Sequence, residues 1–144
     1  MAAKVLLVDD SNTALLIGET ILKQHTSYEV MTARDGEEAV RKAVAEMPDL
    51  ILMDVVMPKM DGFAACREIR KHERLRSVSI IMVTSRGEPI NVEMGYQSGC
   101  NAYLTKPISA TELLELVRIL LGTDADGDAL NRDHSVMRQG GNVV

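Results

Sequence analysis

No apolar run in the sequence approaches the roughly 20 residues that a membrane-spanning helix needs. The N-terminal KVLLV is cut short by Asp9 and Asp10, which a secretory signal would not tolerate, so the expectation is a cytoplasmic protein with no membrane insertion. Positive charge is scarce too: 16 Lys and Arg stand against 21 Asp and Glu, a formal net charge of -5. That balance does not neutralise a phosphate backbone, and nucleic acid is set aside as a partner. Cysteine is limited to Cys66 and Cys100, far apart and without a CxxC spacing, and His25, His72 and His134 are scattered singly. Buried thiols and surface imidazoles are expected in place of a zinc site. Nor does any segment repeat internally.

What is present suits one domain: 144 residues, 46% of them hydrophobic, can build one core and are too few for two. VLLV (5–8), LILM (50–53) and SIIMV (79–83) are continuously apolar, the pattern of strands covered on both faces of a parallel sheet. YEVMTA (28–33) mixes polar and apolar positions as an edge strand does, and NAYLT (101–105) stops at Lys106-Pro107.

Helical period fills the gaps. Residues 36–47 place Ala39, Val40, Ala43, Val44 and Met47 on one stripe, with Glu37/Arg41 and Glu38/Lys42 as i,i+4 pairs on the other face. Ser109 and Glu112 match a capping box, and Leu113, Leu114, Val117, Leu120 and Leu121 follow until Gly122. Asp61 is placed to cap a helix holding Phe63, Cys66 and Ile69, and Ser11 or Asn12 one that runs to about His25. The segment 87–98 is the weakest helix, with Pro89 near its start and Gly95 inside.

Strand and helix thus alternate five times, which implies an α/β, doubly wound parallel sheet with right-handed crossovers. The domain is expected over 1–121. Residues 122–144 lose the helical period and read as a flexible tail. Its DADGD stretch is not a calcium loop, because Gly127 falls at the fourth loop position and Ser135 replaces the bidentate Glu.

In open parallel sheets, ligands bind at the carboxyl ends of the strands. Here those ends carry Asp9-Asp10, Asp54, Thr84-Ser85 and Lys106-Pro107, and only the second strand contributes nothing. Each residue alone could equally cap a helix or end a strand, and VVMPKMDG alone could be an ordinary strand-to-helix connection. Together they form a constellation. Three gathered carboxylates repel unless positive charge is supplied, and a hard divalent cation such as Mg2+ with Lys106 would balance them. Asp54, on a central strand, is the better nucleophile toward a phosphoryl group. Asp9 and Asp10 are suited to hold the metal, the Val56 carbonyl could complete its shell, and Thr84 offers a hydroxyl to a phosphoryl oxygen.

VLLVDDS with Asp9-Asp10, LILMDVVMPKMDG with Asp54, IIMVTS with Thr84 and YLTKP with Lys106 resemble, in order and separation, the motifs of the receiver domain of bacterial two-component response regulators. The resemblance covers about residues 4–121. It implies a flavodoxin-like five-stranded sheet of order 2-1-3-4-5 with five helices. It further implies that Asp54 accepts phosphate from a histidine kinase or phosphotransfer protein, with Asp9, Asp10 and the Val56 carbonyl around Mg2+ and Lys106 on the acyl phosphate. Thr84 and Tyr103 would shift together and reshape the face of the fourth helix, fifth strand and fifth helix for a downstream protein target.

By the same resemblance, Arg86 and Val56 would flank the approach of a hydrolytic water, at positions whose variation in the family is linked to how long the phosphoryl group survives. A stand-alone switch is expected, since the tail leaves no room for a helix-turn-helix or a catalytic output domain. Two other classes compete. An Asp-nucleophile phosphohydrolase would usually carry a second acid two residues after the nucleophile, where this chain has Val56. A receiver that binds partners without phosphate would usually lose one of the acidic or lysine positions, and none is lost.

Overall fold

The structure is a computed structural model that describes residues 2–85 and 89–122, without the side chains of residues 89–91. The expected tail beyond Gly122, with its DADGD stretch and His134, and Arg86 lie outside the described residues.

The central strands are apolar on both faces because both faces are covered. Strands β1 (Lys4–Val8), β2 (Glu29–Ala33), β3 (Leu50–Asp54), β4 (Ser79–Thr84) and β5 (Ala102–Thr105) form one sheet in the order β2-β1-β3-β4-β5. Every neighbouring pair is parallel. All five residues of β3 are buried, whereas β2, at the edge, buries only Ala33. Side chains alternate across the sheet. Leu6, Ile51, Met53, Ile80 and Met82 face one way, toward α2 (Gly36–Glu46), α3 (Gly62–Arg70) and α4 (Pro89–Ser98). Val5, Leu7, Leu52, Ile81 and Val83 face the other way, toward α1 (Asn12–His25) and α5 (Ala110–Leu121).

Side-chain oxygens start four of these helices. Ser11, Asp35, Asp61 and Ser109 accept from the backbone N–H groups of Ala14, Glu38, Ala64 and Glu112, each worth about 1 kcal/mol. Ser11 rather than Asn12 is therefore the cap of α1. On α2, Ala39 and Ala43 are buried, while Val44, placed on the apolar stripe by its spacing, is 42% exposed. The buried face is narrow enough for two alanines, and Val44 lies about 100° round the helix from Ala43. Met47 is not helical but closes α2 in the left-handed region at φ 52. Gly95 inside α4 has a packing reason. A Cβ there would lie 3.1 Å from Cε2 of the buried Tyr103 ring and 3.4 Å from Cys100 Sγ.

The 3-10 turn Glu73–Leu75 is not visible in the periodicity. Neither is the part played by Arg70. From the end of α3 its guanidinium donates to the carbonyls of Leu75 (3.0 Å), Val78 (2.6 Å) and Gly99 (2.7 Å) and to Asn101 Oδ1 (3.0 Å). It thereby ties the connections that lead into β4 and β5, at the sheet edge opposite the strand ends that carry the carboxylates.

Candidate functional site

The backbone brings the polar strand ends together because neighbouring strands stop at nearly the same level. Val8 pairs with Met53, so Asp9 and Asp54 sit side by side, and Asp54 in turn pairs with Val83, the residue before Thr84. Thr84 pairs with Thr105, and its carbonyl accepts from the Lys106 N–H at 2.6 Å. The peptide from Lys106 to Pro107 is cis. Asp9, Asp54 and Thr84 are buried, whereas Asp10 is exposed.

Lys106 joins the two buried carboxylates: Nζ donates to Asp9 Oδ2 at 2.8 Å and to Asp54 Oδ2 at 3.3 Å. Their other oxygens are held by backbone. Asp9 Oδ1 accepts from the Ser11 N–H and Asp54 Oδ1 from the Val55 N–H, each at 2.9 Å. Burial and then the nearby Asp9 carboxylate push the Asp54 carboxyl above its ordinary 3.8, with Lys106 pulling the other way. Burial alone would lower the Lys106 ammonium, but its bonds to Asp9 and Asp54 outweigh that and hold it above 10.5.

Asp9, Asp10 and Asp54 each offer a carboxylate oxygen, all within 4.8 Å of one another. Oxygen-only donors with one ammonium against three carboxylates leave a site of net negative charge, which suits a hard divalent cation. Of the other residues predicted for the site, Val56 has an aliphatic side chain that is 74% exposed on the loop after β3, so any ligation there belongs to its carbonyl. Tyr103 is buried on β5 against the face of α4 where Gly95 lies, on the opposite side of the sheet from α1 and α5.

The loop after Asp54 is shaped locally. Gly62 N–H donates to the Val55 carbonyl at 2.7 Å, and a Cβ on Gly62 would overlap the Asp54 carbonyl oxygen, which requires glycine there. Sequence reasoning missed the residues after β2. Arg34 Nη2 donates to the Asp10 carbonyl at 3.2 Å and Nη1 to Asn12 Oδ1, while Asp35 pairs with Lys59 at 3.7 Å. The signal available was Asp35 followed three residues later by Glu38, a helix-start pattern directly after an edge strand.

An open, doubly wound parallel sheet with an oxygen-donor pocket and a lysine at its carboxyl edge defines a class of α/β domain in which the strands' ends carry the chemistry. The chain belongs to the response regulator receiver domain family, whose model matches residues 5–118. Receiver domains are signalling modules of two-component systems.

It is 37% identical over 121 residues to the alkaline phosphatase synthesis transcriptional regulatory protein PhoP of Bacillus subtilis, covering 84% of this chain and 49% of PhoP. The chain thus spans about half the length of several of the curated relatives it matches. Protein PilH of Pseudomonas aeruginosa is 34% identical over 119 residues, which cover 83% of this chain and 98% of PilH. Among solved structures, the receiver domain of the sensor histidine kinase PA1611 of Pseudomonas aeruginosa PAO1 superposes with a TM-score of 0.79 at 36% identity, covering 85% of this chain and 99% of that one. That structure has a magnesium ion coordinated in its active-site cleft. No helix among the described residues is long and apolar enough to cross a membrane.

Proposed function

We propose that the protein is a phosphoacceptor switch: Asp54 takes a phosphoryl group from the phosphohistidine of a kinase or phosphotransfer protein, and the change is read by a downstream protein. The observation that carries this reading is the Lys106 ammonium bridging the buried Asp9 and Asp54 carboxylates, with an Asp10 oxygen within 4.8 Å. Asp9, Asp10, Asp54 and the Val56 carbonyl would hold Mg2+, which when bound neutralises the oxygens of the incoming phosphoryl group.

The chain's own residues account for the rest. The Val55 N–H fixes one Asp54 oxygen, which leaves Oδ2, on the Lys106 side, as the nucleophile. The ammonium that now faces two carboxylates would pair with the acyl phosphate. Phosphorylation adds roughly one further negative charge and new acceptor oxygens. Thr84, one residue beyond the partner of Asp54 on β4, would donate its hydroxyl to them. Tyr103 links that event to α4, because its ring already lies against Gly95.

Incubation with Mg2+ and a small acyl phosphate should add one phosphoryl mass to the wild type and none to Asp54→Asn, read by intact-mass spectrometry. An unmodified wild type would sink the proposal.

A further inference from the structure

Strand β2 adds no side chain to the carboxylate cluster, yet the three residues after it, Arg34-Asp35-Gly36, touch both loops that frame the cluster. On one side, Arg34 forks onto the β1–α1 loop, donating to the Asp10 carbonyl at 3.2 Å and to Asn12 Oδ1. On the other side, Asp35 Oδ2 pairs with Lys59 Nζ at 3.7 Å. Gly36 lies directly against the β3–α3 loop, where a Cβ would overlap the Met60 carbonyl oxygen and come within 2.8 Å of its carbon.

These three residues are themselves seated on α2. Asp35 Oδ1 accepts from the Glu38 N–H and Glu38 Oε1 accepts from the Arg34 N–H, both at 2.8 Å. The loop they hold has little slack of its own. Lys59 sits at φ 71 in a tight turn in which the Met60 N–H donates to the Pro58 carbonyl at 2.7 Å. A non-glycine residue in that region persists only where surrounding contacts over-determine it.

We infer that Arg34, Asp35 and Gly36 form a brace that sets the spacing between the loop of Asp10 and the loop of Val56, and with it the affinity of the acidic pocket for Mg2+. The inference rests on the reading of that pocket as a Mg2+ site. The three are positioning residues, because they act through the backbone of the loops they touch. Electrostatics makes the opposite forecast: Arg34 and Lys59 are cations beside a cation site, so removing either should tighten binding if charge were all that mattered. The brace predicts weaker binding.

The test titrates the full chain with MgCl2 alone by calorimetry for wild type, Arg34→Ala, Arg34→Lys and Lys59→Gln, with the thermal midpoint in EDTA measured beside each. Arg34 is exposed, and the Lys59 side chain is 62% exposed. Expected is a loss of Mg2+ affinity of about 10-fold in each variant, the lower end of what residues behind metal ligands contribute. Arg34→Lys should lose about as much as Arg34→Ala, because an ammonium keeps the charge and cannot make both bonds of the fork. Unchanged or tighter binding in Arg34→Ala and Lys59→Gln overturns the inference. A wild type that binds no Mg2+ overturns the site reading together with it, a result distinct from normal wild-type binding with unaffected variants.

Discussion

Tyr103 and Gly95 are fitted to each other: the buried ring of β5 lies where a side chain on α4 would otherwise stand, 3.1 Å from the position of a Cβ. Cys100 Sγ lies 3.4 Å from the same position, so a methyl group there would meet two buried side chains at once.

Gly95→Ala should therefore destabilise the protein by about 1 kcal/mol, although alanine is the better helix former by a similar amount. In a Tyr103→Ala background the sign should reverse, because the crowding is gone and the helix gain remains. Denaturant unfolding of the four proteins in a double-mutant cycle measures the coupling. A Gly95→Ala effect that is the same in both backgrounds would show that the ring does not explain the glycine.

Asp54→Asn should stabilise the metal-free protein at neutral pH. The folded carboxyl titrates above its ordinary 3.8, so its ionisation costs stability as pH rises through that value, and the cost is complete above the folded value. Each kcal/mol relieved should raise the thermal midpoint by about 3–6 °C for a domain of this size. The gain should shrink as pH falls toward 4, and Mg2+ should raise the midpoint of the wild type more than that of the variant. Thermal unfolding at several pH values, with EDTA or MgCl2, measures both; a wild type more stable than Asp54→Asn in EDTA at pH 7 would contradict it.

Arg70→Ala should cost on the order of 2–4 kcal/mol, since it strips a charged donor from the Leu75, Val78 and Gly99 carbonyls at once. Arg70→Lys should recover little, because one ammonium cannot span those acceptors. Mg2+ affinity should be unchanged, as Arg70 sits at the opposite edge of the sheet. Calorimetric titration beside the unfolding curves separates the two effects.

The two thiols should be inert while the chain is folded. Burial, and then the neighbouring Cys66, pushes the Cys100 thiol up to about 12, and burial also raises Cys66. Little thiolate is then present at neutral pH, and the thiolate is the reactive form. Iodoacetamide should leave the native protein unmodified and label both cysteines in denaturant; rapid native labelling of either would contradict the packing.

Much of the fold and the centre of the site were legible in the chain because their signals are local. Continuous apolar runs mark β1, β3 and β4, a serine or aspartate oxygen marks the start of α1, α3 and α5, and Asp9, Asp54, Thr84 and Lys106 follow directly from where strands stop. The residues that did not show are those whose partners are distant in sequence. Arg34 reaches Asp10, Asp35 reaches Lys59 and Arg70 reaches Gly99, while Gly95 makes room for Tyr103 across the turn from α4 into β5. Periodicity reports which way a side chain faces and not what meets it. Only assembly of the sheet, with its crossovers laid over both faces, decided those pairings, and with them how the loops around the acidic pocket are held.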